Sequence, residues 1–268
     1  MTAVTHEGTG AEAGTTTPVS RMAALARAEL TLLGRTKATL FAALFVPLVM
    51  PVGLSTSIDG MDLSGTGLST GAVIISSTLG FSLLFAVYSS LVSVYAARRE
   101  ELVLKRLRTG ELRDAEILAG AALPSVAIAL VQSVVLIAAC IALLDVGAPE
   151  APHYAVLGLL LGLVMWPALA AVTSSFSRSV EGAQFMSMPL IFLSMMGSGT
   201  FVPLEVMPDG LARICELLPL TPVVTLVRGG WTGGLPASDV LTAVVTGVAW
   251  TALAMWAVRR WFRWEPRR

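Results

Sequence analysis

An all-α membrane protein with several transmembrane helices is what this sequence predicts, and three observations predict it. The first is composition: of 268 residues 55% are hydrophobic and only 13% charged, against about 25% charged in a soluble domain. Mean hydropathy is +0.77. The second is segregation. Thirty-five consecutive residues, 63–97, carry no charge, and the next eleven, 98–108, carry seven. A long apolar run can bury itself in hydrocarbon; a cationic loop cannot follow it. The third is repetition of that alternation along the chain.

Residues 1–19 are rich in Thr, Gly, Ala and Glu without apolar periodicity, and read as a disordered tail. No cleavable signal peptide is expected, since the first apolar run starts near residue 38 and further runs follow. Residues 20–37 come next. Met22, Ala26, Leu30 and Leu33 share a helical face, with Arg21 and Arg27 outside it. This predicts an amphipathic helix lying in the membrane interface; the alternative is a simple extension of the first span. Residues 38–258 then form the transmembrane domain, and 259–268 a basic tail.

Six windows are long and apolar enough to cross ~30 Å of hydrocarbon: 38–54, 71–97, 117–144, 154–172, 183–203 and 240–258. The first is shortest and contains Pro47 and Pro51. The second and third are overlong, which predicts tilt or helical extension past the bilayer. Counting Lys and Arg in the connecting segments puts sixteen on one side of the membrane and two, Arg213 and Arg228, on the other. That asymmetry predicts both termini in the cytoplasm. Only two of the basic residues, Lys37 and Lys105, are lysines, a bias associated with high-GC bacterial genomes; the expected location is the bacterial plasma membrane.

The charge census narrows function. None of the six windows contains Asp, Glu, Lys, Arg or His. Ion-coupled transporters and intramembrane enzymes need such groups at membrane depth. The chain cannot hydrolyse ATP by a P-loop either. That motif requires Gly-Lys, whereas Lys37 follows Thr36 and Lys105 follows Leu104. Net charge is zero, which gives no field for nucleic acid. Cys140 and Cys215, and His6 and His153, show no metal-ligand spacing. No cofactor, metal or catalytic residue is therefore expected on this chain.

Polar features inside the windows are mild. Thr78, Ser82, Ser89 and Ser93 fall on one face of a regular helix, and either line a translocation path or pack helices. Gly158 and Gly162 form a G-x-x-x-G for close helix approach. Met186, Met188, Met195 and Met196 surround Pro189, and can pack or hold a lipophilic substrate.

Two loops carry more. Residues 98–116 read RREELVLKRLRTGELRDAE. Glu101 and Lys105 at i,i+4 favour a short helix, Leu104 and Leu107 share its apolar side, and Gly110 ends it. Residues 197–229 read GSGTFVPLEVMPDGLARICELLPLTPVVTLVRG. Their prolines interrupt the backbone, and Leu211, Ile214, Cys215 and Leu218 give an intervening helix an apolar face. Such a piece re-enters a membrane only where protein covers it.

Both loops resemble the ABC-2 family of ATP-binding-cassette transporter permeases. In the first, Leu104, Leu107, Arg108 and Thr109, then Glu116, Ile117 and Gly120, match the family's L-x-x-L-R-x-T loop and its entry to span three. Leu102 stands where a glycine is common, and Gly110 where a proline is. In the second, Phe201, Pro203, Pro208, Leu218, Pro219, Leu220, Thr221 and Arg228 match the stretch between spans five and six. Within it the chain resembles drug-export permeases of the daunorubicin-resistance type, which implies multidrug efflux and antibiotic resistance.

The resemblance implies an exporter subunit that works with two copies of a separate ATPase, which bind the ATP and Mg, and with a second permease, identical or paralogous. It also implies that Arg98, Arg99, Glu100, Glu101, Leu104, Lys105, Leu107, Arg108 and Thr109 form the ATPase-coupling loop. Phe201, Pro203, Pro208, Pro219, Thr221 and Arg228 would form an outer gate on a re-entrant segment spanning 204–222. The expected substrate is a lipophilic small molecule; lipid or polysaccharide export, and a six-span scaffold or immunity protein without transport, are the alternatives.

Overall fold

The computed structural model describes Gly53 and residues 68–109, 113–144, 146–262 and 264. The expected tail 1–19, interfacial helix 20–37 and first span 38–54 lie outside the described residues, Gly53 excepted, as does half of the basic tail 259–268. The described chain is helical, with no strand.

Helix α1, Thr70–Glu100, has 31 residues and extends about 46 Å at 1.5 Å per residue. Ser69 caps it, its Oγ accepting from the Ala72 N–H at 3.1 Å. In α1 83% of the apolar stretch is buried inside the protein, against 28% in both α3 and α8. A helix that is apolar all round belongs in the centre, and α1 is the central post. Its middle, Leu83–Ser89, is π-helical.

A short helix α2, Val103–Arg108, follows. Glu101 still caps α1, and Leu102 turns the chain at φ 60°. The i,i+4 pair Glu101–Lys105 therefore does not lie on one helix, contrary to the sequence expectation, because the left-handed joint falls between them.

Helix α3, Asp114–Leu144, carries Asp114 and Glu116 in its first turn, where carboxylates complement the helix dipole. Helix α4, Pro152–Phe176, packs along α1. Helix α5, Val180–Gly197, is capped by the Ser179 Oγ, which accepts from Gly182 N–H at 3.0 Å. Expected as a span over 183–203, it stops at Gly197; Gly199 at φ +72° turns the chain back over α1.

After a single 3₁₀ turn, Leu204–Val206, come α6, Asp209–Glu216, and α7, Thr221–Thr232. The two are bent by 102° across a four-residue break. Helix α7 spans about 18 Å, half a membrane, and packs between α1, α4 and α8. The sequence reading treated α7 as loop: an arginine and two glycines broke its apolar run. Gly233, at φ +75°, ends it, and α8, Ala237–Trp261, closes the chain.

Glycines make these contacts close. A Cβ on Gly158 would sit 3.0 Å from Leu226 Cβ and 3.1 Å from the Val223 carbonyl; one on Gly162 would sit 2.8 Å from Leu83 Cδ1. The G-x-x-x-G of α4 is thus the seat for α7 and α1, the helix-packing use expected of it.

Among the described residues, α1, α3, α4 and α8 are long and apolar enough to cross a membrane, and the bent α6–α7 pair can make a fifth by length and composition.

Candidate functional site: the coupling end and the re-entrant end

Chain direction and contacts gather the described arginines, Arg213 and Arg228 excepted, at one end of the bundle. The end of α1, the start of α3, the α4–α5 turn and the end of α8 meet there. Arg99 is buried. It donates from Nη1 to the Ser174 carbonyl at 2.7 Å, and from Nη2 to the Ser177 carbonyl at 2.8 Å and Ser177 Oγ at 3.3 Å. Beside it the Glu100 carboxylate accepts from the Val180 N–H at 2.9 Å, at the start of α5. One turn of α1 thereby holds the end of α4 and the beginning of α5.

Helix α2 is seated on this unit. Leu104 is fully buried, Leu107 half-buried, and Glu101, Lys105, Arg106, Arg108 and Thr109 are exposed. The Thr109 hydroxyl donates to the Arg106 carbonyl at 2.7 Å and closes the helix. Arg108 pairs with Asp114 at 3.0 Å and lies over the Trp264 ring at 4.9 Å. Arg98 is half-buried. Of the nine expected coupling residues, Arg99 and Leu104 therefore face inward, and the charged side of α2 faces out. Arg106, absent from the expected set, belongs to that side.

The opposite end is marked by Gly71 against Val146, by the Ala151 N–H donating to the Gly230 carbonyl at 2.9 Å, and by Trp231 Nε1 donating to the Gly147 carbonyl at 2.8 Å. From there α7 descends to an elbow at residues 217–220. Trp250 Nε1, thirteen residues into α8, donates to the Leu217 carbonyl at 2.8 Å. That places the elbow about 20 Å below the start of α8, at mid-depth.

Arg228 ties this hairpin together. It is buried, and donates from Nη1 to Glu205 at 3.2 Å, from Nη2 to the Gly199 carbonyl, and from Nε to Ser76 Oγ at 3.4 Å. A buried guanidinium is tolerable only when paired and hydrogen-bonded. The windows searched for charge did not include this pair, because it lies between them. Phe201 packs edge-on against Phe81 at 5.4 Å, and Ser77 donates to the Thr200 carbonyl at 2.6 Å. Pro203 and Pro219 are buried, Pro208 is exposed at the entry to α6, and Thr221 donates to the Cys215 carbonyl. The expected gate residues thus lie in one hairpin that leans on α1. A cavity of about 270 Å³ opens between α6, α7 and α8, with Glu205, Glu216, Asp239 and Thr225 in its wall.

The serine stripe does not stay on one face. Thr78 and Ser82 are buried in the core, while Ser89 and Ser93 meet Gln184 of α5, which donates to the Ser89 carbonyl at 3.1 Å and to Ser93 Oγ. The π-helical segment lies between the two pairs. Its i→i+5 bonds widen the turn, so each residue rotates less and the later serines swing towards α5. Met186, Met188 and Met196 point outward from α5 with Phe185 and Phe192.

No curated protein matches the chain. Residues 21–231 match the family described as ABC-2 type transporter. With its long apolar helices, its charged helix on a central post and its half-membrane hairpin, the chain belongs to the ABC-2 type transporter family, the multi-pass membrane subunits of ABC transporters.

Proposed function

We propose that the chain is the permease of an ATP-driven exporter, with ATP and Mg bound by two copies of a separate ATPase, and with a second permease copy or paralogue completing the path. Residues 38–54, α1, α3, α4, α5 and α8 make six spans, and the basic end lies in the cytoplasm of a bacterial cell. The observation that carries this reading is the seat of α2. Its charged side is open, its Leu104 is buried, and the clamp of Arg99 and Glu100 joins the adjoining turn of α1 to α4 and α5. A push on α2 moves three spans together. The outward Phe and Met side chains of α5 need lipid or a second permease to cover them, and the α6–α7 hairpin is placed to close the outer exit. A lipophilic small molecule or drug is the substrate class; this extends the family resemblance.

Arg106→Glu tests the docking face without touching the core. Assayed with a partner ATPase, the variant is expected to insert and melt normally while transport-coupled ATPase activity falls at least tenfold. Unchanged coupling in Arg106→Glu and Lys105→Glu together sinks the docking reading and reduces α2 to a topological anchor. Orientation has its own readout. With Cys140 and Cys215 replaced by Ala, Asp209→Cys is expected to react with a membrane-impermeant thiol reagent in intact cells. Labelling only after permeabilisation reverses the topology.

A further inference from the structure

A cavity of about 660 Å³ lies at the basic end, between the start of α3, the middle of α4 and the end of α8. It is separate from the hairpin, and it meets the charged side of α2 at Arg108 alone. Its wall changes character with depth. Pro167 and Ala168 of α4 lie about nine residues, roughly 14 Å, in from the end of that helix, and make an apolar floor. Arg108, Arg113 and Arg259, which sit at helix ends, form the rim together with Trp264.

Charge at the rim is unbalanced. Among the described residues Asp114 is its only acid, and it is engaged by Arg108. Arg113 and Arg259 are exposed, and among the described residues their guanidinium groups face no carboxylate. Cations above an apolar slot, with an aromatic ring at the boundary, match an amphiphile with an anionic head and hydrocarbon tails. The volume falls within the usual range for bound small molecules.

We propose that this cavity is a binding site for an anionic phospholipid of the adjoining leaflet. The phosphate sits between Arg113 and Arg259, and an acyl chain runs down to Pro167. The site requires only that the chain spans a membrane, and stands independently of the motor reading above. The chain's own residues 20–37 are a poorer occupant, because they carry Arg21, Arg27, Arg35 and Lys37 against Glu29 alone, and like charges repel.

The test uses the delipidated full-length protein in detergent, titrated in native mass spectrometry with phosphatidylglycerol, with phosphatidylcholine of the same acyl chains, and with glycerol phosphate. Phosphatidylglycerol is expected to be retained in preference to phosphatidylcholine, and glycerol phosphate not at all. R113Q/R259Q is expected to cut that preference about 30-fold, from roughly 1 kcal/mol per basic residue, with an unchanged melting temperature. Ala168→Trp, which fills the floor, is expected to lower retention of both lipids. Equal retention of the two lipids, or an undiminished preference in R113Q/R259Q, overturns the site. So does retention of glycerol phosphate as tight as that of the lipid, which would leave no use for the apolar floor. A spontaneous disulfide between cysteines at Ala23 and Ala119 would place the chain's own segment there and also overturn it.

Discussion

Each end of this bundle is fastened by one buried arginine, and the two fastenings are built differently. Arg99 holds two carbonyls of a single turn, Ser174 and Ser177. Neighbouring α1, α4 and α5 are already adjacent through helix packing, so the clamp stiffens a unit that exists without it. Arg228 instead collects three separate segments: Ser76 of α1, the Gly199 corner and the Glu205 turn. The corner and the turn lie six residues apart on one loop, and Ser76 brings in α1 from far away in sequence. The first end is suited to transmit a push as a block. The second is assembled from pieces and gathered by that one side chain, beside the Ser77–Thr200 hydrogen bond and the Phe81–Phe201 contact; as the outer lid proposed above, it would depend most on Arg228.

That contrast predicts unequal damage. Arg228→Ala leaves the Gly199 carbonyl and Glu205 without their partner. Breaking a buried charged pair costs about 3–5 kcal/mol, and the half-exposed Glu205 side chain, 42% accessible, puts this case near 3. The melting temperature of the purified permease should fall clearly, and protease should cut within 204–220 first. Arg228→Lys should recover only part, since one ammonium cannot reach three segments. If Arg99→Ala proves the more destabilising of the two, the block-and-lid distinction fails.

A smaller effect sharpens the same comparison at the lid. A Cβ on Gly230 would meet Ala155 Cβ at 2.7 Å and its backbone N at 3.0 Å, whereas Gly234 has open space. Gly230→Ala must push α7 from the start of α4, an overpacking cost of about 1–3 kcal/mol. Gly234→Ala should leave the melting temperature within a degree or so of the parent. Equal shifts in the two variants would mean that α7 is not tightly seated.

Hydrophobic windows revealed α1, α3, α4 and α8 because length and apolarity alone define a spanning helix. They missed α7, since Arg228, Gly229 and Gly230 break the run, and only the tertiary partners of Arg228 make that burial tolerable. They also set the end of α5 six residues too far, as an uncharged turn such as residues 198–203 looks like an uncharged helix. The serine stripe failed for a sharper reason: helical periodicity assumes a constant turn, and the π-helical segment of α1 changes it midway. At the other end, the family pattern located α2, but the apolar pair Leu104 and Leu107 could not show which way it faced. Leu104→Asp would unseat the helix and would not probe docking, since Leu104 is fully buried.

The smallest effect concerns the joint between α1 and α2. Leu102 is the single non-glycine residue at positive φ among the described residues. A left-handed conformation costs an L-residue about 1–2 kcal/mol. Glycine removes that cost, but gives the unfolded chain back about 0.4–1 kcal/mol of freedom. Leu102 is 38% exposed, so little packing is lost. Leu102→Gly should therefore stabilise the permease by about 0.5–1 kcal/mol, read as a rise of the thermal midpoint. Leu102→Ala keeps the strained backbone and should give no rise. The pair separates strain from side-chain contact: a gain in both variants would trace to the exposed leucine, and a loss in Leu102→Gly would show that the joint's stiffness, and not its angle, holds α2 on its seat.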